Sequence, residues 1–413
     1  MSKNISSFYF PFYLLYLDYS VNVIIKSKNF IDMNNQITRR NLLKLLGVSG
    51  VTLPLTGISK DIDINPQKSL QNDGTIKLSS NENPYGPSPK VREAIINAFD
   101  EACRYPYGRV AELEKKIAER EGVDPSMVLV TGGSNEGLRA TGRLFGVEKK
   151  EIIACKPTYL ALMTYAEEFD CKINWVPLDE NLRYDLNEIS RRTSKNTSMV
   201  FICNPNNPTG TMLQAKDLED FCTATAKKTC VFVDEAYYDY SINDGYPTMT
   251  KLVKAGHNVI VSRTFSKIYG LAGVRIGYLI ASPERIDELK KCTMAGTNML
   301  ATHAAMTAYD EKSFFNYSLE KNKEALEILY KAFNEIGLDY VKSYTNFAFF
   351  KTGVHIDEFS KYFKEKGILV GRPFPPYYDW CRISTGKVED VSKFADTLKT
   401  VSYTHLRAHE TSP

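Results

Sequence analysis

The sequence predicts an α/β fold, with a large domain on a mainly parallel mixed sheet covered by helices on both faces, and a smaller α+β domain. Three observations carry this reading. Short apolar runs recur through the middle of the 413-residue chain, at 127–131, 151–154, 172–176, 198–203, 229–233, 258–262 and 277–281. Stretches with helical spacing lie between several of them, the alternation that builds a parallel sheet buried on both faces. Beyond about residue 297 the rhythm changes to one long charged helical stretch, 314–336, and strand-like runs at 344–351 and 368–370.

The bulk numbers narrow the class. With 43% hydrophobic and 24% charged residues, the chain is an ordinary globular protein long enough for a large core. Its 52 basic and 49 acidic residues leave a net charge of +3 and no basic stripe, so no nucleic-acid partner is expected. The eight cysteines form no C-x-x-C pair, which argues against a zinc or dithiol site, and no metal is expected. Cys155 and Cys203 sit in apolar runs and read as reduced core thiols.

Taken in order, residues 1–59 read as a leader. The aromatic run 8–25 is interrupted by Pro11 and Asp18 and makes a poor membrane span, so no stable membrane anchor is expected. The preferred reading starts the protein at Met33 and treats what precedes it as upstream sequence. Residues 38–44, TRRNLLK, then resemble a twin-arginine export signal, with a weakly apolar segment to Leu55. The expected location is periplasmic or exported; a basic amphipathic helix in a cytoplasmic protein is the alternative.

Residues 60–98 are assigned to an N-terminal arm and part of the small domain, 99–297 to the large domain and 298–400 to the small C-terminal domain. Within the arm, 78–89 is dense in turn formers, and 91–103 has Val91, Ala94, Ile95, Ala98 and Phe99 on one helical face. The segment 104–108 breaks that helix, and 110–121 forms a second, ending near Gly122. The last thirteen residues, 401–413, do not continue the pattern, and a helix is expected over 388–399 only; the tail reads as non-native.

The chemistry gathers at the ends of the apolar runs. The stretch 259–278 leaves a strand and reaches Lys267, flanked by hydroxyls and small residues rather than by charges. A partly desolvated amine there loses basicity and becomes a nucleophile. Asp234 closes the run 231–233, where a carboxylate needs a cationic partner; a helix cap or core ion pair is the plain alternative. Gly133, Ser134 and Asn135 follow a strand and open a helix, which favours an anion. Ser266 and Arg275 complete a phosphate cradle, Arg275 through charge-assisted bonds. Asn207 lies in the Pro/Gly turn 204–210, and Tyr237 lies three residues past Asp234; both are placed to donate to a ring oxygen. Tyr159 follows 156–158 and is placed to stack on a ring, although either tyrosine taken alone is more often a core residue. Arg382, in the run 380–386, suits a substrate carboxylate, and Arg372 is a second anion clamp; a surface ion pair is the alternative for each. An amine, an acid, an anion cradle and a ring partner at strand ends are what pyridoxal phosphate requires. The segment from Gly270 to Gly273 is read as letting the backbone pass close to that cofactor.

The motifs stand in a characteristic order: LSSNENPYGPSP (78–89), RYPYG (104–108), TGGSNEG (131–137), KPTY (156–159), NPNNPTG (204–210), DEAYYDY (234–240), TFSKIYGLAGVRIGY (264–278) and CRISTG (381–386). Over roughly residues 75–400 the chain resembles the fold-type I pyridoxal-phosphate aminotransferases, most closely the histidinol-phosphate aminotransferase family. The resemblance implies Lys267 as the Schiff-base lysine, Asp234 on the pyridine nitrogen, and Asn207 with Tyr237 on the ring oxygen. It implies Ser134, Asn135, Ser266 and Arg275 at the phosphate, Tyr159 on the ring, and Arg382 on the substrate carboxylate. Tyr85 resembles a substrate-side residue. Tyr105 resembles a tyrosine that reaches the cofactor phosphate of a neighbouring subunit, which implies a homodimer. The implied reaction moves an amino group between an amino acid or amino-alcohol phosphate, histidinol-phosphate-like or aromatic, and a 2-oxo acid. A decarboxylase or lyase on the same scaffold, or a non-catalytic relic, are the alternatives. The sequence GRPFPPYYDW (371–380) is bulkier and more aromatic than the family's usual stretch before the carboxylate arginine.

Overall fold

The computed structural model describes residues 74–410 except 243, 244 and 295, with side chains to residue 400. The leader, the twin-arginine-like stretch 38–44 and the linker up to 73 lie outside the described residues. Twelve strands are described: β1 Ile76–Lys77, β2 Val128–Thr131, β3 Glu151–Lys156, β4 Lys172–Pro177, β5 Thr197–Cys203, β6 Cys230–Asp234, β7 Val259–Thr264, β8 Gly277–Ile280, β9 Tyr340–Val341, β10 Phe347–Lys351, β11 Ile368–Leu369 and β12 Trp380–Ser384.

Seven of them form one sheet in the order β2-β8-β7-β6-β5-β3-β4. Strands β7, β6, β5, β3 and β4 are mutually parallel, and β8 runs against both β7 and β2. This is the mixed, mainly parallel sheet that the apolar runs predict. Its central strands β5, β6 and β7 are buried along their whole length. That is why they appear in the sequence as uninterrupted apolar runs rather than as alternation. In register, Cys203 lies beside Asp234, and Asp234 beside Ser262. The turns that follow β5, β6 and β7 therefore leave the sheet at one edge, where open α/β sheets form their binding crevices.

A second core lies around the antiparallel sheet β12-β10-β9 and the parallel pair β1-β11. Phe333, Phe350, Phe363 and Phe394 fill it, contributed by the helices Lys312–Glu335, Ile356–Glu365 and Val388–Glu410 and by β10. The N-terminal arm enters this core through Leu78.

Two helical expectations change. The first helix spans Pro89–Asn97, capped by Ser88, whose hydroxyl accepts the Val91 N–H, and then tightens into a 3-10 turn over Ala98–Glu101. The tighter winding rotates the residues that follow off the predicted face. Val91 and Ala98 are buried as expected, but Phe99 is 60% exposed. The last helix does not stop near 399; it runs Val388–Glu410. Residues 401–410 hold neither glycine nor proline, so nothing in them ends a helix.

Candidate active site

A cavity of ≈ 770 Å³ opens at the carboxyl ends of β5, β6 and β7. It is lined by all the predicted site residues except Tyr85 and Tyr105. The sheet register explains the convergence: Asp234 ends β6, Asn207 follows β5, and Lys267 follows β7.

Asp234 sits 2% exposed at the cavity floor, and its Oδ1 has no hydrogen-bond partner. Burial pushes its carboxyl up to about 7, against the pull of the Ala236 N–H, the Ser262 hydroxyl and the Lys267 ammonium. A buried carboxylate oxygen left open calls for a cationic donor from the cavity side. Lys267 points its Nζ into the same space and donates to the Asn81 carbonyl at 3.1 Å. Burial first, then the nearby Arg382, lowers its ammonium to about 8, well below the ordinary lysine value.

The anion cradle is built from three elements. The helix Ser134–Gly146 starts at Gly133 with no side-chain cap, so its first N–H groups face outward unpaired by a cap. The Arg275 guanidinium lies against Gly133, where an added Cβ would come 2.2 Å from its Nη2. Its Nη1 donates to the Ala272 carbonyl at 2.8 Å and lies 3.5 Å from Ser266 Oγ. Gly133 is therefore fixed twice, by this contact and by its φ of +84°. Tyr159 donates its hydroxyl to Asn135 Oδ1 at 2.8 Å, which ties the ring to the same helix start.

The opposite wall comes from the second core. Arg382 is buried; its Nη1 donates to Asn207 Oδ1 at 2.8 Å and its Nη2 to the Ser79 carbonyl at 2.6 Å. Its Nε has no partner. The guanidinium carbon lies 5.0 Å from the centre of the Phe374 ring and 5.6 Å from that of Phe347. Arg372 is exposed at the rim, 4.5 Å over the Phe374 ring. Asn207 Nδ2 lies 3.4 Å from the Tyr237 hydroxyl.

Tyr85 does not reach the cavity of its own chain. The arm turns at Asn83, whose Oδ1 accepts the Tyr85 N–H, and the Tyr85 hydroxyl accepts the Val388 N–H at 2.9 Å. Its ring packs edge-on against Tyr317. Tyr105 is also remote from the cavity: it is 81% exposed and stacks on Tyr107 at 5.7 Å. Within the segment 270–273, Ala272 lines the cavity, Gly270 packs against Gly86 of the arm, and Gly273 has open space around it.

The residue that sequence reasoning passed over is Asn81. It bonds to Lys267, Tyr237, Ser384 and Asn346. Its φ of 54° lies in the left-handed region, which asparagine tolerates better than most residues. That preference is the one signal in NEN (81–83) that pointed beyond a generic turn. The arm pairs with the chain's far end at a constant offset: Ser79 with Arg382, Asn81 with Ser384 and Tyr85 with Val388 are each 303 positions apart.

The family Aminotransferase class I and II matches residues 73–398. A histidinol-phosphate aminotransferase from Caldicellulosiruptor saccharolyticus is 36% identical over 341 residues, covering 81% of this chain and 94% of the relative. One from Bacillus cytotoxicus is 34% identical over 339 residues, covering 81% and 91%. A solved structure from Erwinia carotovora atroseptica, provisionally described as a histidinol-phosphate aminotransferase, superposes with a TM-score of 0.78 at 30% identity, covering 81% of this chain and 97% of that one. The histidinol-phosphate aminotransferase of Sinorhizobium meliloti, in complex with pyridoxal 5'-phosphate, shares the fold at a TM-score of 0.73 and 24% identity, covering 86% and 99%. The chain belongs to the class I and II aminotransferase family, as a fold-type I, pyridoxal-phosphate-dependent transaminase similar to the histidinol-phosphate aminotransferases.

Proposed function

We propose that the protein transfers an amino group from an anionic amine, a histidinol-phosphate-like amino-alcohol phosphate or an aromatic amino acid, to a 2-oxo acid. The observation that supports the site assignment most directly is the partnerless Oδ1 of buried Asp234, facing the same cavity as the Lys267 amine. Bound pyridoxal phosphate supplies an electron sink through its protonated ring nitrogen. Asp234 would hold that nitrogen protonated, and Lys267 would anchor the cofactor and then carry a proton at its Nζ. Ser134, Asn135, Ser266 and Arg275 would hold the phosphate, Tyr159 the ring face, and Asn207 with Tyr237 the ring oxygen. Arg382 would take the carboxylate of the amino acid and of the 2-oxo acid. Arg372, the arginine at the cavity rim, would take the phosphate of an amino-alcohol phosphate.

The active unit in this proposal is a homodimer, with Tyr105 reaching the partner's cofactor phosphate. Its support is the exposed apolar group Ile96, Phe99, Tyr105 and Tyr107, large side chains that a monomer leaves in water. Export through the stretch 38–44 is part of the same proposal; a reporter fused after residue 60 that stays in the cytoplasm would overturn it.

The deciding experiment is a donor panel on the pyridoxal-phosphate-loaded protein, histidinol phosphate and aromatic amino acids included. Conversion to the pyridoxamine form is followed by absorbance. At least one anionic donor is expected to convert the cofactor; a panel without conversion overturns the reading. Retention of the cofactor after borohydride treatment by wild type, and its loss from Lys267→Ala, tests the anchor separately.

A further inference from the structure

Asn81 is 1% exposed and bonded on every side. Its N–H donates to Ser384 Oγ at 2.8 Å, and the same serine donates back to Asn81 Oδ1 at 3.0 Å. Its Nδ2 donates to the Tyr237 hydroxyl at 3.0 Å. Its carbonyl accepts from Lys267 Nζ at 3.1 Å and from Asn346 Nδ2 at 3.0 Å.

The direction of each bond follows from what each group can give. Ser384 Oγ already accepts the Asn81 N–H, and its single hydrogen goes to Asn81 Oδ1. The amide is therefore pinned with its oxygen on Ser384 and its NH2 on Tyr237. Asn207 is pinned in the same sense, because the Arg382 guanidinium can only donate and occupies Asn207 Oδ1. Two N–H donors thus converge on one phenol oxygen, Asn81 at 3.0 Å and Asn207 at 3.4 Å. A phenol oxygen that accepts two hydrogen bonds keeps its own hydrogen as a donor, and bonds in series strengthen one another. Tyr237 lines the cavity.

We propose that Asn81 is a positioning residue for the transamination reaction, fixing Tyr237 as a hydrogen-bond donor into the cavity through its side chain and holding the Lys267 amine through its carbonyl. The proposal rests on the reading that Tyr237 serves the ring oxygen of the bound cofactor. It makes the N-terminal arm a working part of the site rather than a cover. The charged and titratable groups that face Tyr237 and Lys267 are Asp234, Arg275, Arg382, Glu82 and Cys203. None of them is removed by changing the Asn81 side chain.

The test uses Asn81→Gly, which deletes the amide, keeps the three backbone bonds to Ser384, Lys267 and Asn346, and adopts a φ of 54° without strain. The pH midpoint of the visible absorbance of the pyridoxal-phosphate-loaded protein is read for wild type, Asn81→Gly, Tyr237→Phe and the double variant. A donor stabilises the anionic ring oxygen, so weakening it raises the midpoint. Asn81→Gly is expected to raise it by about 0.5–1 pH unit, the worth of one hydrogen bond. In the Tyr237→Phe background the same change should add nothing. Ser384→Ala, which unpins the amide, should give a smaller rise in the same direction, and it decides the matter if Asn81→Gly does not fold. A shift in Tyr237→Phe with none in the Asn81 and Ser384 variants, or fully additive shifts, overturns the proposal and leaves the reading of Tyr237 standing. An unmoved midpoint in Tyr237→Phe removes that reading, and the proposal with it.

Discussion

Gly86 and Gly270 meet backbone to backbone. A methyl built on Gly86 would lie 2.7 Å from the Gly270 Cα, and one built on Gly270 would lie 2.6 Å from the Gly86 Cα. This contact seats the arm against the loop that carries Lys267. Gly270→Ala must therefore push the arm away, and it also puts a side chain at a φ of +69°. A loss of about 1–3 kcal/mol is expected, with weaker cofactor retention. Gly273→Ala, three residues on and in open space, is the control and should stay within about 0.5 kcal/mol of wild type. Denaturant unfolding of the two variants checks the contrast.

Asp234 gives the cofactor-free protein a distinctive pH dependence. Its folded value of about 7 lies above the ordinary 3.8, so the native state binds the extra proton between the two. Its contribution to stability is present in full below about pH 4 and is lost as the pH rises through 7. Lys267 acts in a separate window. Its folded value of about 8 lies below the ordinary 10.5, so the cofactor-free protein gains stability as the pH climbs from 8 towards 10.5. Thermal unfolding against pH should show the first slope vanish in Asp234→Asn and the second in Lys267→Met. In the loaded protein, Asp234→Asn should weaken cofactor binding about 10–100-fold, the loss of one charge-assisted bond.

Arg382 is held by Asn207 and Ser79, leaving a planar fork in fixed orientation. Lysine cannot reproduce the fork, so Arg382→Lys is expected to raise KM for carboxylate substrates about 10–100-fold. Steady-state kinetics with a 2-oxo acid measures it; an unchanged KM removes the assigned role. Arg372, exposed at the rim, should affect only donors that carry a second anion.

Tyr105 allows a complementation test. If it serves the partner's cofactor, Tyr105→Phe and Lys267→Ala chains, each impaired alone, should regain activity when mixed and allowed to exchange subunits. A hybrid dimer carries one cavity with both residues intact. Activity no higher than the sum of the separate chains would remove the cross-subunit role.

The parts of the molecule legible in the sequence are those where local pattern and tertiary role coincide. Strands β5 to β7 are buried throughout, so their apolar runs mark them directly, and Asp234, Asn207 and Lys267 stand just where those runs stop. Asn81 was not legible, because its partners are 156, 186, 265 and 303 positions away and its local setting spells only a turn. The place of Tyr85 outside the lining of its own chain's cavity was not legible for a related reason: adjacency in NENPYG does not disclose that the arm turns at Asn83. Phe99 failed on winding, since the periodicity assumed one helix type where the chain uses two.

The constant offset of 303 between the arm and the chain's far end has a consequence for how the molecule is made. A growing chain has its amine, its acid and its anion cradle in hand once residue 275 has left the ribosome. The bonds that pin Asn81 and Arg382 must wait until residues 382–388 emerge, and such distant closures are slow to form. The lysine is thus assembled early and enclosed late, so a nascent chain stalled before residue 380 would carry the whole of its reactive chemistry with one wall missing.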